Sequence, residues 1–501
     1  MIIHSVPGSA LHLVYAMNAQ NDFPHVACHF IGNEWVRSNA TITVIDPSTG
    51  EAFSEIARGN AEDINAAVAA ARQAFEGAWS ALAPAERGRM LHQFAAVILD
   101  NQETIARITA RDGGKLLSQA RADAIATARY FEFYAGACDK LHGELLPYRS
   151  GFTVMVERIP LGVTGHIIPW NYPTQIFARS VAASLAAGNT CVVKPAEDAS
   201  LAVLEIARLA AQAGLPAGAL NVVTGYGAEA GAALTAHRGI DHISFTGSPG
   251  AGSMVAQAAA QHHCPVTLEL GGKSPQLIFA DANLDAALPV VVNVIIQNAG
   301  QTCSAGSRVL IEQSVYEEVL GRMGKLFDGL RVGSAFSNAH CGPLISAKQK
   351  ERVLDFVELA KQANIGLAGC GSFLPELPPA GFYVAPMLFR DVAHNHPIAQ
   401  EEVFGPILVA MPFKDEAQAI ALANGTDYGL VAGVWTRDGG RQLRVAKALK
   451  SGQVFINDYG AGGGIELPFG GVKKSGYGRE KGMAGLLSFT TLKTVAIKYS
   501  E

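Results

Sequence analysis

Residues 161–168 read Leu-Gly-Val-Thr-Gly-His-Ile-Ile, and residues 190–194 read Thr-Cys-Val-Val-Lys. Each run is short and mostly apolar, which is typical of a strand buried within a sheet. The chain continues with a helical pattern at 201–213, a strand at 220–224, a helix at 228–236, a strand at 242–245 and a helix at 252–260. Strands that alternate with helices in this way predict a parallel sheet wound in right-handed βαβ units.

The same alternation resumes beyond residue 275. Residues 275–279 predict a strand, 286–298 a long helix and 308–312 a further strand, which together indicate a second α/β layer. Before the first layer, apolar side chains at spacings of three and four predict amphipathic helices at 61–79, 84–112 and 117–141. We interpret their apolar stripes as packing faces. The two segments of alternating strands and helices, together with these helices, predict an α/β fold.

The composition is that of a globular protein. The chain has 501 residues, a formal net charge of −5 and 49% hydrophobic residues, enough for about two to four domains. It lacks the long Lys/Arg runs expected of a nucleic-acid-binding protein. It also lacks an apolar run of the roughly 18–20 residues that a membrane helix needs. We therefore expect neither nucleic acid nor a membrane as a partner.

The cysteines predict free thiols. Their number, seven, is odd, and the sequence contains no Cys-x-x-Cys pair, which argues against a disulfide framework and against a thiolate zinc site. No His-Glu-x-x-His motif is present either, so we predict no metal. Free thiols are typical of a reducing compartment, and we expect a cytoplasmic protein.

Three segments do not follow the α/β pattern. Residues 1–28 have no clear pattern, and we interpret 1–16 as a disordered extension or a misassigned start ahead of Met17. Residues 148–160 and 487–500 alternate apolar and polar side chains, which predicts strands with one exposed face. Two interpretations of these strands stay open: an ordinary edge hairpin, or strands that pair with another copy of the chain.

The strand-to-helix crossing at 245–252, Phe-Thr-Gly-Ser-Pro-Gly-Ala-Gly, is a candidate phosphate site. Ser248 can cap the helix and Pro249 suits its first position, so free backbone N–H groups would face a phosphate. The glycines serve tight helix–strand packing equally well.

Lys194 and Glu197 form a second candidate site, at the carboxyl end of the strand predicted over 190–194. Parallel sheets bind ligands at this edge. Glu197 could accept hydrogen bonds from ribose hydroxyls, and its negative charge would repel a 2′-phosphate. The alternative to a ligand-binding role is a surface ion pair.

Three further residues could carry chemistry. Cys303, within Asn-Ala-Gly-Gln-Thr-Cys-Ser, is the best candidate nucleophile, since the other cysteines mostly lie in apolar sequence. Glu269 lies between two leucines, and burial there would raise its pKa and make it a usable base near neutral pH. The Asn171 amide, in a rigid Pro-Trp-Asn-Tyr-Pro segment, could donate to an oxyanion. Taken singly, each also fits a structural role.

Seven motifs in a fixed order resemble those of the NAD(P)-dependent aldehyde dehydrogenase superfamily: PWNYP (169–173), GNTCVVKPAE (188–197), FTGSPGAG (245–252), LELGGKSP (268–275), GQTCSAGSR (300–308), EEVFGP (401–406) and PFGGVKKSGYGRE (468–480). The similarity covers roughly 29–500. It implies a Rossmann-like cofactor domain over 29–146 and 161–270 and an α/β catalytic domain over 271–486. It also implies a small β oligomerisation element, 147–160 and 487–501, after an N-terminal extension, 1–28.

The resemblance implies how the site would work. Cys303 would attack an aldehyde and form a thiohemiacetal, with Asn171 and the Cys303 backbone N–H holding the oxyanion. Hydride transfer to NAD would leave a thioester, which Glu269 would hydrolyse through an activated water. Gly272 and Lys273 would shape the floor near the cofactor. The family usually forms dimers or tetramers, so a homodimer or homotetramer is expected.

The cofactor would be NAD rather than NADP because of Glu197. Lys194 and Glu197 would hold the adenine ribose, Gly247 and Ser248 the pyrophosphate, and Glu402 the nicotinamide ribose, with Phe404 beside the nicotinamide. The full set of residues that the resemblance places at the cofactor is Ile168, Pro169, Trp170, Lys194, Glu197, Gly227, Phe245, Gly247, Ser248, Leu270, Glu402 and Phe404.

The small-molecule aldehyde is expected to lie near Tyr172, Ile176, Arg179, Gln297, Thr302, Ser304 and Phe469. Arg179 stands where relatives acting on succinic semialdehyde carry a carboxylate-binding Arg, but their second Arg is replaced by Gln297. One Arg is half of a clamp, and a structural ion pair is the alternative role. An acidic semialdehyde and a neutral aliphatic or aromatic aldehyde therefore both stay open. The loop 458–465 is glycine-rich, which suggests a wide or mobile pocket.

Other functions stay open alongside an NAD-dependent aldehyde dehydrogenase. An NADP-dependent semialdehyde dehydrogenase would share most of these motifs. A CoA-acylating relative generally lacks the Glu found here at 269. A catalytically silent scaffold would not require Cys303, Glu269 and Asn171 together. A Cys hydrolase would need a His in a recognisable position near the cysteine and would not need the cofactor motifs.

Overall fold

The computed structural model describes residues 27–460 and 464–499. Residues 1–26 of the predicted extension, 1–28, lie outside the described residues. The hypothesis about 1–16 therefore stays a hypothesis. Cys28 already belongs to the first strand. Residues 461–463 of the glycine-rich loop also lie outside the described part.

The strands of the described part fall into five sheets. They are β1 (Cys28–Ile31), β2 (Glu34–Arg37), β3 (Thr41–Asp46), β4 (Glu51–Ala57), β5 (Glu144–Leu146), β6 (Phe152–Pro160), β7 (Val163–Ile168), β8 (Thr190–Pro195), β9 (Leu220–Val222), β10 (His242–Thr246), β11 (Val266–Glu269), β12 (Pro275–Ile278), β13 (Arg308–Glu312), β14 (Arg331–Val332), β15 (Leu367–Cys370), β16 (Ser372–Phe373), β17 (Met387–Phe389), β18 (Ile407–Phe413), β19 (Val431–Trp435), β20 (Gln453–Ile456), β21 (Gly476–Tyr477) and β22 (Thr490–Lys498).

The helices alternate with these strands through both large sheets. They are α1 (Ala61–Phe75), α2 (Pro84–Asp100), α3 (Gln102–Gly113), α4 (Leu117–Ala135), α5 (Pro173–Ala187), α6 (Leu201–Gln212), α7 (Ala232–Ala236), α8 (Pro249–Ala260), α9 (Leu284–Ile296), α10 (Tyr316–Asp328), α11 (Ala347–Gln362), α12 (Pro397–Gln400), α13 (Glu416–Asn424), α14 (Gly439–Ala448) and α15 (Gly482–Ser488).

The first sheet has eight strands in the order β2-β1-β9-β8-β7-β10-β11-β21. Its five central strands run parallel, as the alternating pattern predicts, and β1, β2 and β21 add antiparallel edges. The chain moves from β7 outward to β8 and β9, and then returns to place β10 on the other side of β7. Such a reversal leaves a crevice at the carboxyl ends of the two strands.

The second sheet has seven strands in the order β15-β17-β18-β13-β12-β19-β20. All are parallel to their neighbours except β15. The α9 helix, whose apolar side chains pack on this sheet, ends just before the segment that carries Cys303. The predicted α/β fold with two sheets is confirmed.

The third sheet, β22-β6-β5, is antiparallel and pairs two strands far apart in sequence. The expected strands at 148–160 and 487–500 are both present, and β6 and β22 pair over their full lengths. Two short strands each lie within one predicted domain range but pair with a strand of another. β5 falls inside 29–146 but extends this third sheet, and β21 falls inside 271–486 but extends the first sheet.

Three helix predictions were wrong in extent. The helices predicted over 61–79 and 117–141 end at Phe75 and Ala135. The pattern predicted a single helix over 84–112, but the structure has α2 and α3 with a break at Asn101. Its φ of −107° and ψ of 15° are not helical, and its side-chain amide donates to the Val97 carbonyl at 2.8 Å. An asparagine that bonds the backbone locally competes with helix continuation.

Two features of the described residues bear on other function classes. No helix there combines the length and apolar character needed to cross a lipid bilayer. No group of three or more His, Cys, Asp or Glu side chains is arranged to hold a metal ion in residues 27–460 and 464–499.

Candidate active site

The crevice between β7 and β10 opens into a cavity of about 340 Å³. It is lined by Pro169, Trp170, Asn171, Thr246, Gly247, Ser248, Pro249, Glu269, Leu270, Gly271, Cys303, Gln349, Arg352, Glu402, Phe404 and Tyr428. Seven predicted cofactor residues are among them: Pro169, Trp170, Gly247, Ser248, Leu270, Glu402 and Phe404. Ile168, Lys194, Glu197, Gly227 and Phe245 do not line this cavity, although Ile168 and Phe245 lie in the two strands that open into it.

Lys194 and Glu197 lie at the carboxyl end of β8, one strand away from the crevice. Lys194 Nζ is 3.0 Å from Glu197 Oε2, so the ion pair that the sequence left as an alternative is present. The lysine is buried and the glutamate is about one-third exposed. Burial lowers the pKa of Lys194, and the neighbouring carboxylate opposes that shift. The exposed Glu197 carboxylate can still accept further hydrogen bonds.

The helix after β10 begins at Pro249, as predicted from Ser248 and Pro249, and three residues before the span 252–260 predicted from the alternating pattern. Ser248 caps it, since its Oγ accepts the Ala251 N–H at 3.4 Å. The glycines divide between the two roles left open by the sequence. A Cβ at Gly247 or at Gly252 would lie 2.6 Å from the Phe245 ring or the Leu270 side chain, so both serve close packing. Gly250 has nothing within 4 Å of its Cβ position.

Glu402 contributes a buried carboxylate to the cavity. Its Oε1 accepts the Gly272 N–H at 2.8 Å, and burial raises the pKa of Glu402 to about 7. A Cβ at Gly271 would lie 2.2 Å from Glu402 Oε2, so only glycine leaves room for the carboxylate there. The buried Lys273 next in sequence does not line the cavity, and its pKa falls to about 7 through burial.

Phe404 is held beside Trp170 by an unusual backbone. Its φ is +60°, a left-handed value that is uncommon for a bulky residue. Gln349 Nε2 donates to the Phe404 carbonyl at 2.8 Å, and the Phe404 and Trp170 rings meet edge to face at 5.3 Å. Arg352 donates to the Glu402 carbonyl at 2.8 Å. Gln349 and Arg352 were not predicted, because they belong to α11, which is remote in sequence from every motif.

Cys303 lies between α9 and β13. Asn298 and Ala299, just ahead of it, both have left-handed φ values, +50° and +55°, which turn the chain sharply after the helix. Burial raises the pKa of Cys303 to about 12, and the nearby Arg179 guanidinium opposes that shift. Apart from Cys303 only Cys370 is half-buried, and the other five cysteines are buried, as expected from their apolar surroundings.

Asn171 is fixed against the cysteine segment. Its Nδ2 donates to the Gln301 carbonyl at 3.0 Å, and its own carbonyl accepts from Asn298 Nδ2 at 2.9 Å. A primary amide has two N–H donors, so one remains for a group in the cavity that Asn171 and Cys303 share. These bonds lock the amide in place without the help of a ligand.

Glu269 ends β11 with its carboxyl group directed into the same cavity. The side chain is buried, and neither oxygen has a hydrogen-bond partner in the described structure. Burial and the nearby Glu480 carboxylate raise the pKa of Glu269 well above its ordinary value. The apolar setting inferred from the flanking leucines therefore has the expected effect on the pKa.

A second cavity, of about 280 Å³, lies on the other side of Cys303. All seven predicted substrate-pocket residues line it, together with Tyr130, Gln175, Val294, Tyr459, Gly460, Lys481 and Cys303 itself. Tyr172 shares a hydrogen bond of 2.9 Å with Thr302. Tyr459, in the glycine-rich loop, donates its hydroxyl to the Ser304 carbonyl at 2.5 Å, so this loop does contribute an aromatic wall.

Arg179 adopts the alternative role that the sequence left open. Its guanidinium forms an ion pair with Glu480, and both side chains are almost fully buried. Its Nη2 donates to Thr246 Oγ1 at 3.2 Å. Arg179 still lines the second cavity, but its charge is matched by a carboxylate of the protein.

Comparison with known proteins agrees with this arrangement. The model of the aldehyde dehydrogenase family matches residues 35–495. The chain belongs to the aldehyde dehydrogenase family. A hydroxyisobutyraldehyde dehydrogenase from Mycolicibacterium austroafricanum is 43% identical over 93% of this chain and 93% of its own. This aldehyde dehydrogenase homologue supports the assignment of the chain as an oxidoreductase.

Solved structures of this family superpose closely on the chain. An aldehyde dehydrogenase from Burkholderia cenocepacia shares 64% identity with a TM-score of 0.94, covering 95% of this chain and 100% of its own. The NAD+ complex of an aldehyde dehydrogenase from Bacillus cereus is 39% identical with a TM-score of 0.92, covering 95% and 97%. The aldehyde dehydrogenase fold predicted from the motifs is confirmed.

Proposed function

We propose that the protein oxidises an aldehyde to a carboxylic acid with NAD⁺ through a covalent intermediate on Cys303. The position of Cys303 carries this proposal, because it lines both the crevice cavity and the second cavity. One thiol can then react with an aldehyde on one side while a cofactor occupies the other. The buried base Glu269 opens into the crevice cavity as well.

The residues present fit NAD⁺, which would supply the hydride acceptor when bound. Lys194 and Glu197 would hold the adenine ribose, and Gly247 and Ser248 would flank the pyrophosphate at the α8 N-terminus. Glu402 would accept from the nicotinamide ribose, and its carboxylate already lines the cavity. The negative charge of Glu197 would repel a 2′-phosphate, so NAD is favoured over NADP. The NAD⁺ complex of the Bacillus cereus relative supports the same choice.

The first chemical step is addition of the Cys303 sulfur to the aldehyde carbonyl. A C–S bond forms, the C=O π electrons move to oxygen, and a thiohemiacetal results. The Asn171 N–H that does not bond Gln301, together with the Cys303 backbone N–H, would hold the oxyanion. Loss of hydride from the former aldehyde carbon then leaves a thioester on the sulfur.

The second step is hydrolysis of that thioester. Glu269, in its deprotonated form, would remove a proton from water as the water oxygen attacks the acyl carbon. The C–S bond breaks, the carboxylic acid leaves, and the thiol is regenerated. The raised pKa of Glu269 makes its carboxylate a stronger base than an exposed one.

Replacing the nucleophile tests this proposal. Cys303→Ala should abolish NADH formation with every aldehyde, whereas equilibrium binding of NAD⁺ to the variant, measured by calorimetry, should persist. Cys370→Ala, at the other half-buried cysteine, is the matched control and should retain turnover. Turnover by Cys303→Ala would contradict the proposal.

We also propose that the protein is a homodimer or homotetramer assembled through the third sheet. Both outer strands of that sheet, β5 and β22, have an open edge within the described chain. Large apolar side chains are exposed on and beside it, namely Leu145, Tyr148, Leu492 and Tyr499, and such patches mark association surfaces. Leu492→Asp should shift the mass measured by light scattering towards the monomer.

The cytoplasmic location expected from the free thiols stays a prediction.

A further inference from the structure

A buried ion pair lies next to the second cavity, and the reaction steps above do not use it. Lys115, in the turn between α3 and α4, donates from its Nζ to Oδ2 of Asp123 in α4. Their side chains are only 2% and 4% exposed. Burial lowers the pKa of Lys115, and the Asp123 carboxylate opposes that shift. Because such a pair adds little net stability compared with apolar residues of similar volume, its contacts with the cavity wall point to another role.

Lys115 contacts an aromatic ring in the wall of the second cavity. Its Nζ lies 3.4 Å from the centre of the Tyr172 ring. An ammonium group over the face of a ring is attracted by the ring electrons, and the attraction is stronger away from water. Tyr172 lines the second cavity and is the residue from which α5 starts. The buried lysine therefore fixes the orientation of this ring.

The hydroxyl of the same ring reaches the segment that carries the nucleophile. Tyr172 shares a hydrogen bond of 2.9 Å with Thr302 Oγ1. Thr302 directly precedes Cys303, and both line the second cavity. Three consecutive contacts thus connect Lys115 to Tyr172, Tyr172 to Thr302, and Thr302 to the cysteine through the peptide bond.

Two further contacts join α4 to the same surroundings. The second oxygen of Asp123, Oδ1, accepts from Gln175 Nε2 at 2.7 Å, and Gln175 also lines the second cavity. Gln119 Oε1 accepts the Asn298 N–H at 3.0 Å, at the left-handed turn ahead of Cys303. The first turns of α4 and the lysine before them therefore support both the wall of the cavity and the cysteine segment.

We propose that Lys115 is a positioning residue for aldehyde oxidation, which holds the Tyr172 ring where its hydroxyl bonds Thr302 and so keeps the second cavity in shape beside Cys303. Both cavities are lined by other residues, so Lys115 acts through Tyr172. A displacement of about 1 Å at a reacting group can lower a rate by about 100-fold. This inference rests on the proposed function, since it concerns the same site.

The test removes the buried pair without leaving an unpaired charge. Lys115→Met combined with Asp123→Asn keeps an oxygen that can accept from Gln175. It should lower kcat/KM for butanal by about tenfold, because the contact that orients the ring is lost. Equilibrium binding of NAD⁺, measured by calorimetry, should change by less than about twofold, since the crevice cavity is untouched. Lys140→Met with Asp139→Asn, at an exposed ion pair, is the matched control and should leave both quantities unchanged.

The conservative variant distinguishes positioning from general support. Lys115→Arg keeps the pair with Asp123 and places a planar guanidinium over the Tyr172 ring, so it should retain most of the activity.

A double-mutant cycle tests whether the effect passes through Tyr172. In a Tyr172→Leu background, which lacks both the ring and its hydroxyl, the same change at Lys115 and Asp123 should lower kcat/KM by less than about twofold. An equal loss in both backgrounds would mean that Lys115 supports the structure in general, and it would overturn the inference. An unchanged kcat/KM in the wild-type background would do the same.

A milder variant keeps the inference testable if the buried pair cannot be removed without unfolding. Tyr172→Phe preserves the ring over Lys115 and removes only the hydrogen bond to Thr302. It should lower kcat/KM for butanal by about fivefold, and an unchanged value would break the proposed connection to Cys303.

Failure of the proposed function would look different. If the wild-type protein oxidised no aldehyde, the proposed function would fail. The role of Lys115 would then be judged by the affinity for butanamide, an unreactive analogue of the aldehyde, measured by calorimetry. Binding about tenfold weaker in the variant with Lys115→Met and Asp123→Asn would support the inference, and equal affinities would overturn it.

Discussion

Arg179 and Glu480 form an ion pair in which both partners are nearly excluded from solvent, with exposed side-chain fractions of 6% and 1%. Ser244 Oγ also donates to Glu480 Oε1 at 2.7 Å. The pair joins α5 to the segment just before α15. Glu480 acts electrostatically on Glu269, which lines the crevice cavity, and Arg179 lines the second cavity. The pair therefore lies between the two cavities.

Removing one partner of this buried ion pair should destabilise the folded protein. Glu480→Leu leaves an unpaired buried guanidinium, and we expect the free energy of unfolding to fall by about 3–5 kcal/mol. The exposed pair Arg129–Glu466, with exposed fractions of 47% and 54%, provides the control. Glu466→Leu should cost no more than about 1 kcal/mol. Urea denaturation of the two variants measures both, and equal losses would contradict the buried role of Glu480.

A second prediction concerns the space that Glu402 occupies. Gly271→Ala would place a Cβ 2.2 Å from Glu402 Oε2, so the carboxylate must leave its position against the Gly272 N–H. We expect the KM for NAD⁺ to rise about tenfold, because a charged hydrogen bond to the ribose is lost. Gly321→Ala, where nothing lies within 4 Å of the added Cβ, is the matched control and should leave that KM unchanged.

Much of this fold was predictable because it depends on local patterns. The runs at 163–168 and 190–195 are buried, parallel strands, as their apolar character indicated. Asn101 shows the limit: the apolar spacing continues through it, whereas its backbone leaves the helical conformation and its side chain bonds the Val97 carbonyl. The β21 strand has two residues, too few to carry a pattern.

The candidate site divides in the same way. Cys303, Glu269 and Asn171 lie in motifs whose residues are adjacent in sequence, and the structure brings all three to one cavity. Lys481 lacked such a signal, because it follows the last motif directly. Its side chain lines the second cavity from a backbone with a φ of +60°, and the neighbouring Glu480 pairs with Arg179 of α5. Neither is visible from spacing or composition.

The rate should increase with pH. Burial raises the pKa of Cys303 to about 12, so its thiol is mainly protonated near neutral pH. Burial also raises the pKa of Glu269 above its ordinary value, so this carboxyl group loses its proton at a higher pH than an exposed glutamate does. The proposed mechanism needs the thiolate and the carboxylate, which are the deprotonated forms. We therefore expect kcat/KM for butanal to rise between about pH 6 and pH 9. A rate that is flat or falling over this range would argue against a requirement for these two forms.

The final prediction separates the two chemical steps. Glu269→Gln keeps the shape of the side chain but cannot accept a proton from water, so the thioester should form and then persist. Rapid mixing of the variant with NAD⁺ and butanal should give a burst of about one NADH per site, followed by a steady rate at least about 100-fold below that of the wild type. Glu358→Gln, at an exposed glutamate paired with Lys361, should show the wild-type time course. A slow reaction without a burst would mean that Glu269 acts before hydride transfer, as the base that activates Cys303.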